Sequence, residues 1–184
     1  MDVITHSLFG YSIFNTISKT NKILMFFLML GALCPDLGEI LIQNELAEKF
    51  GETLVVYDSR TSDLQTASNL KVTFLYDFLH SLILPSVLLL TAFLFKMNKK
   101  KIMFFSFGLL SHVFLDCFTH GKVWSLKLFY PISNTRFPIF SELIGNWWDW
   151  SPKTNLFFIK LPVYCLLFWM ILISYNFHLF KRKK

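Results

Sequence analysis

Four of the five histidines of this 184-residue chain, His6, His80, His112 and His120, lie with Asp36, Asp77 and Asp116 in or beside strongly apolar runs. An unpaired ionisable group in such surroundings costs several kcal/mol, so residues placed this way must hold one another, an ion or a substrate. The densest block is Ser111-His112-Val113-Phe114-Leu115-Asp116-Cys117-Phe118-Thr119-His120, where potential ligands recur every fourth residue. On a helix they advance by roughly 40° per step and project from one face.

The runs that carry these groups fix the fold class. With 54% hydrophobic, 18% aromatic and only 16% charged residues, the chain is richer in apolar side chains than a soluble domain. Residues 72–95 and 156–180 exceed the roughly 20 residues needed to cross a bilayer, and 102–119 just suffice. Residues 23–34 and the amphipathic stretch 3–17 are shorter. The expected fold is all-α: a polytopic membrane helix bundle with about five membrane-embedded helices, two short and N-terminal and three longer. It forms a single integral membrane domain over residues 1–184, without repeats or low-complexity segments. Lys19 and Lys22 follow the first apolar stretch, which does not read as a cleaved signal peptide.

Charge sets the expected orientation. If the helices alternate in direction, one face carries Lys19, Lys22, Lys96, Lys99, Lys100, Lys101, Lys181, Arg182, Lys183 and Lys184. These are ten of the eighteen basic residues, with none of the twelve acidic ones. The positive-inside rule makes this face, including the tail 181–184, cytoplasmic, and puts two long outer loops, 36–71 and 120–155, on the other side. The expected location is a bacterial-type inner membrane, crossed several times. The net charge of +6 is thus a topology pattern, and no nucleic-acid partner is expected. His6, Asp36, His80, His112, Asp116 and His120 all fall in the non-cytoplasmic half, so residues from four helices can meet at one depth.

The rest of the chain adds less. Cys34, Cys117 and Cys165 lack the spacing of a structural zinc site and read as small core residues. Residues 39–50 form an amphipathic continuation suited to a surface helix. Trp124, Trp147, Trp148 and Trp150 of the second outer loop suit interfacial anchors.

A neutral imidazole binds zinc or another borderline divalent ion through one nitrogen, and a carboxylate completes the site or orients the ring. His112 and Asp116 suit a pair of ligands, with His6 and His80 closing the site from other helices. Asp36 can ligate, orient a histidine or act as general base to water activated by the ion. Three or four ligands plus an open position describe a hydrolytic centre. An ion or proton path built from the same residues, or a non-catalytic metal site joining the helices, are the alternatives. A path should extend polar residues toward the cytoplasmic face, where the helices offer almost none apart from Ser and Thr.

Several blocks carry a family resemblance: Met1-Asp2-Val3-Ile4-Thr5-His6-Ser7-Leu8-Phe9-Gly10, Pro35-Asp36-Leu37-Gly38-Glu39, His80-Ser81, the block from Ser111 through His120 to Gly121, and Tyr130-Pro131. In order and spacing the chain resembles the YdjM-like (YbcI-like) inner-membrane metal-dependent hydrolases. The resemblance implies a small multi-helix membrane protein with a divalent metal site for hydrolysis. The chain has Gly38-Glu39 where the family usually has a second aspartate, and Leu75-Tyr76 where it commonly has a His-Arg pair.

The combined expectation is a membrane-bound metal-dependent hydrolase with a zinc-like centre facing the non-cytoplasmic leaflet and acting on a lipid or lipid-linked amphiphile. His6, His80, His112 and Asp116 are the expected ligands, and Asp36 the general base. His120 completes coordination or protonates the leaving group, and Glu39 and Asp77 are candidate supporting carboxylates.

Overall fold

The computed structural model describes residues 3–17, 21–38, 73–95, 99–119, 125–138 and 157–181. Their regular elements are all helices: α1 (Val3–Ile17), α2 (Lys22–Leu33), α3 (Thr73–Leu79), α4 (Ile83–Leu94), α5 (Lys99–Thr119) and α6 (Phe157–Lys181), with 125–138 a non-helical segment. A 3₁₀ turn at Cys34–Asp36 follows α2, and among the described residues the only β pairing is an isolated bridge between Leu126 and Phe137. Asn21 caps α2, its side-chain oxygen accepting from the Ile23 and Leu24 amides at 3.1 and 3.2 Å.

One expected element is corrected. The run 72–95 is not a single helix but α3 and α4, separated by a break at 80–82. Pro85 explains the restart. It lacks an amide hydrogen and is tolerated in the first turn of a helix, where it stands in α4, but not in the middle of a continuous one. The break exposes backbone groups that must find partners in an apolar setting. The Leu82 amide donates to the Leu128 carbonyl at 2.8 Å, and the Ser81 hydroxyl to the Phe78 carbonyl at 2.8 Å.

Close helix packing depends on small residues, as is common where lipid replaces water as the surrounding medium. At the crossing of α2 and α5, a Cβ on Gly31 would lie 2.0 Å from the Phe105 carbonyl oxygen, and one on Gly108 2.1 Å from that of Leu28. Only glycine permits this approach. Phe14, Leu24, Leu28 and Phe104 fill the core toward the lysine-bearing end of α5, and Val113, Leu126 and Leu128 fill it toward the other.

Helix α6 is joined to α1 by polar contacts. The Trp169 indole donates to the Thr5 hydroxyl at 2.9 Å, and the Asn176 amide to the Ser12 hydroxyl at 2.8 Å. Asn15 donates to Asn176 at 2.8 Å, and the Thr16 and Tyr175 hydroxyls are 3.0 Å apart. The expectation that the far halves of the helices carry little polarity beyond Ser and Thr therefore overlooked Asn15 and Asn176. Their amides bond each other and Ser12, which makes them tolerable in an apolar helix interface.

Large apolar side chains cover the outside, with Phe93 70%, Phe95 73% and Ile171 63% exposed, while imidazoles and carboxylates are enclosed. This inside-out distribution suits a lipid surrounding. Helix α5 is long and apolar enough over Lys99–Phe118 to cross a membrane, and Ile83–Leu94 and Leu166–His178 are shorter apolar stretches.

Candidate metal centre

His6 lies near the start of α1, Asp36 in the turn closing α2, and His80 in the break after α3. His112 and Asp116 are one turn apart on α5. The four elements bring these side chains together: His6, His80, His112 and Asp116 are at most 1% exposed, and Asp36 is 7%. His120 and Glu39 lie outside the described residues, as do the amphipathic stretch 39–50 and Trp124, Trp147, Trp148 and Trp150.

The end of α2 has a consequence at the centre of the cluster. The last four carbonyls of a helix lack partners along the chain. The Leu30 carbonyl recovers one from the Cys34 amide, Pro35 has no amide hydrogen for the Gly31 carbonyl, and beyond Leu33 the chain tightens into the 3₁₀ turn. The Ala32 carbonyl, in this terminal turn, accepts from His112 Nδ1 at 2.7 Å. A carbonyl only accepts, so Nδ1 holds the ring proton and a neutral ring leaves a lone pair on Nε2. His80 is fixed in the same way, since its Nδ1 donates to the Tyr76 carbonyl at 2.9 Å. The Tyr76 ring stacks on this imidazole with centroids 4.0 Å apart. Metal-ligating histidines are oriented by just such bonds from the other ring nitrogen.

With both Nδ1 protons committed, the Nε2 atoms of His80 and His112 face each other at 3.1 Å. Two neutral rings would then oppose lone pairs, an arrangement relieved by a proton or cation between them. Asp116 completes the surround: Oδ2 is 2.9 Å from His112 Nε2 and 3.5 Å from His80 Nε2, and Oδ1 is 3.2 Å from His6 Nε2. Asp36 Oδ1 is 3.6 Å from His112 Nε2, beyond hydrogen-bond range. Ligand atoms around a tetrahedral zinc ion, at bond lengths of about 2.0–2.1 Å, lie about 3.3 Å apart. The observed separations straddle that value.

His6 adds a further indication. Its Nδ1 is buried without a hydrogen-bond partner among the described residues, and its ring stacks on His112 with centroids 3.6 Å apart. Two overlapping groups, His6 with Asp36 and His112, and His80 with His112 and Asp116, each hold their ligand atoms within 4.8 Å. These residues can hold a metal ion, and imidazole with carboxylate suits a borderline divalent one.

Asp77 is engaged elsewhere. Lys127 Nζ donates to its Oδ2 at 2.6 Å, and the two are 18% and 6% exposed. This contact pins segment 125–138 against α3, together with the Leu82 to Leu128 bond and packing of Leu126 and Leu128 on Val113. Tyr76 thus buttresses His80, and Lys127 places a cation beside α3. Sequence reasoning noted Tyr76 only as a departure from the family pattern, and passed over the Ala32 carbonyl, Lys127 and the Gly31–Gly108 crossing. The last of these was open to inference, because a glycine inside an apolar helix marks a close approach.

A family model described as YdjM inner membrane protein matches residues 1–183. No curated protein and no solved structure matches the chain.

Proposed function

The chain belongs to the YdjM inner membrane protein family, and from that premise we propose that it is a metal-dependent hydrolase acting on a lipid or lipid-linked amphiphile from the non-cytoplasmic leaflet. The observation that carries this reading is the pair of imidazoles with both Nδ1 protons committed and Nε2 atoms 3.1 Å apart, enclosed with Asp116 and His6. Such a set has a purpose when a cation completes it. His6, His80, His112 and Asp116 are the proposed ligands. A bound divalent ion, zinc in the first instance, would supply Lewis acidity and lower the pKa of coordinated water.

The chain's own residues supply the rest. Asp36 is the most exposed carboxylate of the cluster and stands at its edge, so it is the proposed general base that takes a proton from the attacking water. The Ala32 and Tyr76 carbonyls keep His112 and His80 in one tautomer. His120 is the proposed proton donor to the leaving group. For orientation, Lys99 and Lys101 stand at the opposite end of α5 from His112 and Asp116, over the Phe93 and Phe27 rings at 5.1 and 5.6 Å. Lysines anchored at a cytoplasmic interface would leave the cluster facing the other leaflet.

The polar ladder between α1 and α6 favours a second reading, an ion or proton transporter, because it extends from Thr5, beside His6, toward the other end of α1. Its groups are amides and hydroxyls that bond each other, and no Asp, Glu or His interrupts them. The experiment is to screen amphiphilic phosphoesters, esters and amides with metal-loaded protein, and to measure metal content and rate for two variants. Asp36→Asn keeps the metal but loses about 10²-fold or more in turnover, the scale of general acid–base help. His112→Ala loses both. Equal metal loss in Asp36→Asn would make Asp36 a ligand. Ion flux across vesicles without hydrolysis of any class would replace the enzyme with the transporter.

A further inference from the structure

An apolar groove of about 580 Å³ lies between α1 and α5, walled by Phe9 and Ile13 on one side and by Phe107 and Leu110 on the other. Leu82 and Cys117 also line it. Among the described residues, its only polar neighbour besides the Cys117 thiol is Ser111, whose hydroxyl donates to the Gly108 carbonyl at 2.7 Å. Nothing in this lining selects a polar ligand.

Three observations identify an occupant. First, the groove borders the metal centre through chain neighbours: Phe9 is one turn from His6, Leu82 is two residues beyond His80, and Cys117 follows Asp116. Second, the ten-residue step from Phe107 to Cys117 along α5 spans about 15 Å, half of the roughly 30 Å hydrocarbon core and therefore the depth of one leaflet. Third, α5 turns large apolar side chains outward beside it, with Phe107 and Phe114 38% and 56% exposed. The groove is continuous with the lipid-facing surface and ends beside the cluster. Its volume falls within the range of ligand sites, roughly 300–1,000 Å³.

We propose that this groove binds an acyl chain of the substrate lipid, extended along α5 from the bilayer midplane to Cys117, so that the bond at the head of the chain is presented to the cluster. This rests on the hydrolase reading and narrows its substrate class to acyl-bearing lipids. Chain recognition by Phe9, Ile13, Phe107 and Leu110 supplies affinity, while the cluster acts on the head.

The test uses full-length protein in phosphatidylcholine nanodiscs that contain a trace of phosphatidylglycerol with a diazirine in mid-chain. After illumination, adducts are expected at residues 9–13 and 107–117 in preference to the α4 face at Val87 and Phe93, which is equally open to annular lipid. Leu110→Trp and, from the facing wall, Ile13→Phe should each lower groove adducts by roughly tenfold, the effect of losing contact with about two methylene groups. Phe93→Trp should leave them unchanged. Helicity and metal content identify which variants remain folded, and either groove variant alone suffices. Adducts spread equally over α4 and the groove, or unchanged in the folded groove variants, would overturn the proposal. Metal content and turnover of the wild type judge the hydrolase reading separately: metal-free or inactive protein that still captures the chain would defeat the reading and keep the groove, and active metal-loaded protein without groove adducts would do the reverse.

Discussion

Adding one methyl group to Gly108 should disable the metal centre from a distance. A Cβ there would stand 2.1 Å from the Leu28 carbonyl oxygen, 2.7 Å from the Ala32 nitrogen and 2.9 Å from the Gly31 carbonyl carbon. All three are backbone atoms, so no side-chain rotation relieves the overlap. A tolerable carbon–oxygen contact is about 3.3 Å, which requires α2 and α5 to separate by about 1.2 Å. The bond from His112 Nδ1 to the Ala32 carbonyl, 2.7 Å long and spanning the same two helices, would then open to about 3.9 Å, outside hydrogen-bond range. Overpacking costs about 1–3 kcal/mol, and loss of an orienting partner lowers metal affinity by about 10–100-fold. Gly10→Ala is the control. Its Cβ would meet the Leu28 Cδ2 and Ala32 Cβ atoms at 3.0 and 3.2 Å, and these contacts ease with a small shift. The assay is chelator competition for zinc in detergent, with circular dichroism to follow helix content. Wild-type affinity in a folded Gly108→Ala protein would refute the claim that this crossing positions His112.

Other expectations follow from contacts outside the cluster. Lys127→Met leaves the Asp77 carboxylate buried without its cation and should lower stability by about 3 kcal/mol, toward the low end for a broken buried pair because Lys127 is 18% exposed. The double variant Lys127→Met/Asp77→Asn should recover most of that in thermal unfolding, and equal losses would show that the pair is not the cause. Trp169→Phe removes the interhelical bond to Thr5 and should cost about 0.6 kcal/mol, with metal content unchanged. In intact cells, an impermeant thiol reagent should label Ser62→Cys but not Lys184→Cys; the opposite pattern would reverse the orientation and the leaflet together.

The ingredients of the cluster were legible in the sequence, but the means of orienting them were not. Histidines and aspartates in apolar runs announce a shared site because burial forces them to find partners, and the His112–Asp116 spacing places both on one helix face. Pro85 was an available sign of the break at 80–82, but the length of the apolar run suggested one continuous helix and the proline went unused. The tautomer locks were beyond reach, since the Ala32 and Tyr76 carbonyls are backbone atoms whose roles depend on where helices end and cross. Lys127 is separated from Asp77 by fifty positions, and no local pattern announces the docking of segment 125–138. Trp169 drew no attention beside the tryptophans of the outer loop, yet it bonds Thr5. Asn15 and Asn176 were hidden similarly, each the single amide of its helix, with its partner on the other.

Metal analysis of detergent-purified protein from metal-replete cells decides whether the His–Asp cluster is a metal centre. Wild-type protein and the His178→Ala variant, altered at an exposed position near the far end of α6, should carry about one divalent ion per chain. His112→Ala should carry almost none while retaining its helix content. Metal-free wild-type protein, or equal occupancy in all three, would show that the cluster is not the metal centre.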